Sequence, residues 1–219
     1  MQNDNTHNSA NASINVNLDE IRNIYPHMPA SAPESSVMHH PAILCFVHDP
    51  ENASNALGQQ FLRDNHDLDK RGSQPLAVAA DMSGADFKIF DLTPPERQDR
   101  PCATQDLALA LSYGMVTVEQ GIDCIALSVI GQDTNKLLSK INNFDDIQEH
   151  GAMNVAACYG AMIAGTMAGI EILCDTALGA CLDRISTNEN ISNFIQSNAP
   201  DIKALALVII EKRATACMR

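Results

Sequence analysis

The 219-residue sequence is poor in positive charge and in aromatic side chains, and it has no tryptophan. Only 14 Lys and Arg residues stand against 27 Asp and Glu residues, which gives a formal net charge of -13 at pH 7. Nucleic acids and anionic lipid surfaces attract proteins through clustered Lys and Arg side chains, and this chain has no such cluster. The composition therefore predicts that neither nucleic acid nor a membrane surface is a partner.

Several motifs of common enzyme classes are also missing. The sequence contains no GxSxG, no Walker phosphate loop and no GxGxxG, so the frequent hydrolase, NTPase and dinucleotide-binding signatures are excluded. Its seven cysteines form no CxxC pair, and the histidines near residue 48 fit no zinc spacing. We expect free, buried thiols, no metal site, no cofactor and a reducing, cytoplasmic setting.

The first 40 residues are rich in Asn, Ser, Ala and Pro and carry no basic, apolar signal peptide. We predict a mobile or extended arm over residues 1–40 and one α/β domain over residues 41–219. Within that domain, short apolar runs alternate with helical segments, which predicts a doubly wound, mostly parallel sheet with helices on both faces. The predicted strands are 42–47, 86–92, 122–127, 170–174 and 206–210, and the predicted helices are 55–65, 75–82, 152–169 and those beginning near 104 and 136.

The small-residue segment 152–169 has a Gly165–Gly169 spacing that also occurs in membrane helix dimers. The run is at the short end of the about 20 residues that a membrane span needs, Asn154 interrupts it, and basic flanks are missing. We interpret it as a soluble helix packed on the sheet. This helix or the strand surface beside it could supply a subunit interface.

Ligands of open α/β sheets bind beyond the carboxyl ends of the strands. Gly131, Asp133 and Thr134 follow the central strand and are expected near the floor of such a crevice. Asp133 and Thr134 could bind a ligand hydroxyl, or they could only cap the next helix. Asp49, which follows the first strand, could contact a ribose.

Seven segments carry a further likeness, in order between residues 41 and 216. They are AILCFVHD (42–49), QQFLRDN (59–65), GADFKIFDL (84–92), the helix beginning at Thr104, GIDCIALSVIG (121–131), GAMNVAACYGAMIAG (151–165) and ILCDTALGACL (172–182). In this order and at these spacings, the chain resembles the nicotinate-nucleotide:dimethylbenzimidazole phosphoribosyltransferase family of cobalamin lower-ligand synthesis.

The resemblance implies a glycosyltransferase that moves phosphoribose from nicotinate mononucleotide to an aromatic base, and it implies a homodimer. Glu211 falls where the family has its general base. The residues expected to line the substrate crevice are Asp49, Gly131, Asp133, Thr134, Gly151, Asp175 and Thr176.

The chain departs from the family in its glycine-rich loops. The family's Gly-Glu-Met-Gly-Ile-Gly-Asn-Thr-Thr corresponds to residues 128–136, where Val129 replaces the acidic residue and two of three glycines are lost. Near the end, Gly-Glu-Gly-Thr-Gly has become residues 210–214, IEKRA. Lys136, Lys212 and Arg213 could supply charge for a phosphate instead. Two alternatives follow: an active transferase, or a non-catalytic relative acting as a binding or regulatory subunit.

Overall fold

The computed structural model describes residues 40–48, 75–92, 104–131, 133–187 and 190–198. Three predicted segments lie outside these ranges: residues 1–39 of the arm, the helix at 55–65 and the strand at 206–210. The elements within them are β1 (Pro41–Val47), α1 (Pro75–Ser83), β2 (Asp86–Asp91), α2 (Thr104–Thr117), β3 (Cys124–Ile130), α3 (Thr134–Lys140), α4 (Phe144–Glu149), α5 (Met153–Ala168), β4 (Glu171–Cys174), α6 (Thr176–Ser186) and α7 (Asn190–Ser197).

The four described strands form one parallel sheet in the order β2-β1-β3-β4. Residues 42–47 of β1 are buried throughout, as expected for a central strand of a parallel sheet covered on both faces. Leu44 and Phe46 face the main core with α2 and α5, and the alternate side chains face the side on which α1 contacts β1 and β2. The predicted α/β class is confirmed.

Helix α5 lies across the sheet and contacts β1, β3 and β4, while α2 packs against it. Its small residues permit this close packing, because Gly160 lies against the backbone of α2 and Gly165 lies against Ile125 and Ile172. Of its sixteen residues only Thr166 is not fully buried. The packed-helix interpretation is correct, but α5 is enclosed within its own chain and cannot supply the subunit interface. No helix in the described ranges is long and apolar enough to cross a membrane.

Strand β3 is longer than the sequence predicted. The predicted strand stopped at Leu127, whereas β3 continues to Ile130, with Ser128 and Val129 paired to residues of β1. Val129 is buried in the core, and Ser128 faces the opposite side, where it hydrogen-bonds Cys45. The polar Ser128 was therefore mistaken for the start of a loop. Likewise, α3 begins at Thr134 instead of 136.

Candidate functional site

The carboxyl ends of β1 and β3 lie side by side at the point where the strand order reverses. From β1 the chain moves outward to β2, and from β2 it passes over β1 to β3 on the other side. In open α/β sheets, crossovers that diverge in this way leave a crevice between the two strand ends, and ligands bind there. The sheet topology therefore makes this edge the candidate ligand site.

The two strand ends are joined tightly by backbone contacts. His48 N donates a hydrogen bond to Ile130 O at 3.0 Å. A Cβ atom at Gly131 would lie 2.7 Å from the carbonyl oxygen of His48, and a backbone oxygen cannot rotate away as a side chain would. Glycine at position 131 thus keeps the two strand ends in contact at the floor of the crevice.

Gly131, Asp133 and Thr134, called the crevice turn below, connect β3 to α3. Asp133 has the left-handed conformation, with φ 49° and ψ 37°, and it is the only non-glycine residue with positive φ in the described ranges. Its side chain is exposed and makes no capping hydrogen bond, although its carbonyl accepts from Leu137 N at 2.9 Å. The alternative in which the Asp133 side chain only caps the helix is therefore wrong.

The Thr134 hydroxyl is already engaged within the turn. Its Oγ1 donates to the carbonyl oxygen of Gly131 at 2.7 Å, which closes the turn at the start of α3. A hydroxyl that donates its proton internally can still accept a hydrogen bond from a ligand. Thr134 therefore has a structural part in the turn, and only its lone pairs remain for recognition.

Asn154 belongs to the same edge, although it is not among the site residues expected from the sequence. Its side chain is 1% exposed, and Nδ2 donates to Ile130 O at 3.1 Å, the oxygen that also accepts from His48 N. Its Oδ1 accepts from Val155 N at 3.0 Å. Asn154 therefore fixes the end of β3 from the first turn of α5. A lone amide in a buried apolar helix was the available signal, because buried polar groups require partners.

Gly151 is brought to this edge by the loop that precedes α5. It has φ 61°, a conformation that glycine adopts readily, and its carbonyl accepts from Met153 N at 2.8 Å. Asn154 lies three residues after Gly151 and contacts the end of β3. Gly151 is therefore at the same edge of the sheet as the crevice turn.

Asp175 and Thr176 follow β4, which pairs with β3 on the side away from β1, so they lie beside the crevice and not between β1 and β3. Cys174 pairs with Leu127, so β4 ends three residues before β3 does, which corresponds to about 10 Å along the strands. Asp175 Oδ1 accepts from Leu178 N at 2.9 Å and caps α6. Both residues are exposed, yet Asp175 has a clear structural function. The other two predicted site residues, Asp49 and Glu211, lie outside the described residues.

Among the residues that the structure describes at the carboxyl edge, three carboxylates stand beside one cation. Asp91 ends β2, Asp133 is in the crevice turn and Asp175 caps α6, while Lys136 in the first turn of α3 is an exposed cation nearby. A ligand with both hydroxyl groups and a negative charge would meet carboxylates for its hydroxyls and Lys136 for its anionic group.

The thiols near the site are not suited to nucleophilic chemistry. The pKa of Cys174 is raised to about 11, mainly by burial and also by the nearby charges of Asp175 and Asp183. Burial also raises the pKa of Cys158 well above its ordinary value. Both thiols are neutral near pH 7, whereas a cysteine nucleophile must be a thiolate. In the part of the chain that the structure describes, no group of three His, Cys, Asp or Glu residues could hold a metal ion.

Comparison with family models found no match, and no curated protein matches the chain.

Proposed function

We propose that the chain is a divergent member of the nicotinate-nucleotide:dimethylbenzimidazole phosphoribosyltransferase family. In this proposal the crevice between β1 and β3 binds nicotinate mononucleotide, and phosphoribose passes to an aromatic base. The protein would act as a homodimer, as the family's members do. Because α5 is enclosed, the subunits would meet through another surface.

The observation that carries this proposal is the backbone conformation of Asp133. When the family's loop is aligned with residues 128–136, its third glycine falls on position 133. Asp133 has φ 49°, in the left-handed region that glycine occupies readily and that aspartate tolerates better than most residues. The family's second glycine is Gly131, where a Cβ atom would approach His48 O to 2.7 Å. Both positions thus have the backbone requirement that the family's glycines would satisfy.

The reaction would require one nucleophile, one leaving group and one base. A benzimidazole nitrogen attacks the anomeric carbon of the ribose, and the bond from that carbon to the nicotinate nitrogen breaks with its electrons moving to nicotinate. The proton on the benzimidazole would pass to the Glu211 carboxylate, which acts as general base. Asp49 would accept a hydrogen bond from a ribose hydroxyl.

The crevice turn would contribute to substrate binding. Asp133 has an exposed carboxylate without a capping bond, so it is suited to accept a hydrogen bond from a ribose hydroxyl. Lys136, one turn into α3, would neutralise part of the phosphate charge, which would otherwise be repelled by the carboxylates of this edge.

Calorimetric titration with nicotinate mononucleotide tests binding. A ligand at 100 times its dissociation constant should stabilise the fold by about 2.7 kcal/mol, which a thermal shift would also detect. The riboside of nicotinate lacks the phosphate that Lys136 would bind. It is therefore the matched control ligand. Equal binding of the two compounds, or no binding of either at millimolar concentration, would contradict the proposal.

Nicotinate release tests the chemistry. Glu211→Gln should abolish release while leaving nucleotide affinity within about twofold, because the amide keeps the size of the side chain but cannot accept the proton. Turnover that is unchanged in this variant would remove Glu211 from the mechanism.

One observation favours the second candidate function, a non-catalytic binding or regulatory subunit. Val129 stands where the family has an acidic residue, and here its side chain is packed in the core, 8% exposed. A carboxylate that the family has at this position is therefore replaced by a core contact. Binding of nicotinate mononucleotide without release of nicotinate, in the presence of benzimidazoles, would identify this function.

A further inference from the structure

We infer that Arg184, in the last turn of α6, is a positioning residue for the crevice turn and acts through α3. The inference rests on the proposed function only for the identity of the ligand. The contacts that carry it are independent of the ligand.

The guanidinium of Arg184 holds the carboxyl-terminal end of α3. Its Nε donates to Ile141 O at 2.9 Å, and its Nη2 donates to Leu138 O at 2.6 Å. The last carbonyl groups of a helix have no partners within the helix, and they carry the negative end of the helix dipole. The two donors of Arg184 supply hydrogen-bond partners for these carbonyl groups, and its positive charge lies at the negative end of the helix dipole.

Helix α3 depends on such contacts because it is short. It has seven residues, whereas isolated helices below about 12 residues are marginal in water. At its start, Asp133 makes no side-chain capping bond. At its other end, Leu138 and Ile141 are buried, and both of their carbonyl groups are bound by Arg184. The Thr134–Gly131 hydrogen bond closes the turn at the start of α3, and Arg184 holds the end far from the crevice.

Arg184 links α6 to the end of α3 that is far from the crevice turn. It lies nine residues after Asp175, which is about 14 Å along α6, and it binds the far end of α3, about 10 Å from the crevice turn. This distance keeps the guanidinium away from a ligand in the crevice. Its effect on binding would thus come from the placement of α3 and of the turn that precedes it.

Hydrogen exchange of the α3 amides tests the positioning directly. Arg184→Met keeps an unbranched stem but removes both donors, and exchange in α3 should become at least about tenfold faster, since a charged hydrogen bond typically exceeds one tenfold step. Amides of β3 should keep their wild-type rates. Arg184→Lys, which keeps the charge and one donor group, should give intermediate rates and also serves if the Met variant does not fold.

Lys140→Met is the matched control, because it removes a positive charge from the last turn of α3 at an exposed position. Its α3 exchange should remain close to wild type. Unchanged α3 exchange in Arg184→Met, an equal acceleration in Lys140→Met, or a uniform acceleration that includes β3 would each overturn the positioning role.

Titration with nicotinate mononucleotide separates this inference from the proposed function. If the wild type binds, Arg184→Met should raise the dissociation constant about tenfold, and Lys140→Met should leave it unchanged. An unchanged constant in Arg184→Met would refute the effect on the crevice. If the wild type does not bind, the proposed function fails, and the exchange rates still decide whether Arg184 positions the turn.

Discussion

Replacing Gly160 by alanine is expected to lower the free energy of unfolding by at least about 2 kcal/mol. A Cβ atom at this position would overlap with the carbonyl oxygen of Leu111 and would lie 3.1 Å from the backbone nitrogen of Met115. These are backbone atoms of α2, so the clash can be relieved only if α2 and α5 move apart. Such a movement would loosen the buried side chains between them.

The magnitude follows from two opposing contributions. Overpacking a well-packed core costs about 1–3 kcal/mol when side chains can adjust, and a clash with backbone belongs at the upper end, about 3 kcal/mol or more. Alanine in place of glycine within a helix gains about 1 kcal/mol of helix propensity. The difference is a loss of at least about 2 kcal/mol, or a decrease in Tm of about 4–8 °C for a chain of this size.

Gly179→Ala in α6 is the matched control. Its Cβ atom would meet only the sulfur of Cys174, at 3.2 Å, and that side chain can adjust by a few tenths of an ångström. Urea unfolding followed by circular dichroism should show Gly179→Ala close to wild type and Gly160→Ala shifted to lower urea with an unchanged m value. Equal midpoints for the two variants would refute the close crossing of α2 and α5.

Three further results are expected. Asp175→Ala should lower the unfolding free energy by about 0.5–2 kcal/mol because α6 loses its cap, and Asp175→Asn, which keeps the acceptor, should stay near wild type in thermal unfolding. Tyr159→Phe should retain stability or gain up to about 1 kcal/mol in urea unfolding, since the buried hydroxyl of Tyr159 makes no hydrogen bond of good geometry in the described part of the chain. Ser186 lies close enough to lower the raised pKa of Tyr159, but its own hydroxyl donates to Leu182 O. Burial raises the pKa of Cys45 from 9.0 to about 12, with the Ser128 hydrogen bond lowering it slightly, so the neutral thiol is favoured in the fold. This stabilisation is complete below pH 9 and is lost as the pH rises toward 12. The unfolding free energy should therefore fall by about 2 kcal/mol more between pH 9 and 10.5 in the wild type than in Cys45→Ala, and equal slopes would contradict the assignment.

The sheet could be predicted from the sequence because its strands are buried on both faces. Residues 42–47 and 124–127 are apolar without alternation, and a half-buried strand of an antiparallel sheet would alternate. The polar residues after each run then indicated the carboxyl edge. The order β2-β1-β3-β4 could not be obtained in this way, because local patterns do not specify which strands become neighbours.

The details of the site depended on contacts between segments that are distant in sequence. Asn154 and Ile130 are 24 residues apart, and Arg184 and Ile141 are 43 residues apart. A single sequence can indicate that a buried amide such as Asn154 needs a partner, but it does not indicate which distant residue that partner is. The crevice turn was recognised correctly as a feature of the central strand's end, but its left-handed Asp133 could only be seen in the folded backbone.

Positions 131 and 133 of the crevice turn differ in what the backbone requires of them. Gly131 is required because of space, since His48 O occupies the volume that a side chain would need. Position 133 is required only to adopt positive φ, which aspartate can do at modest cost, so a side chain is tolerated there and is left exposed. Under the proposed family assignment, the loop would have exchanged its third glycine for Asp133 and kept its backbone path, whereas an exchange at 131 would separate β1 from β3. The Asp133 carboxylate places a negative charge in the crevice turn, which disfavours a phosphate at this point. Selection between a hydroxyl-rich ligand and a strongly anionic one would then depend on the balance of Asp133 against Lys136 within a single turn of α3.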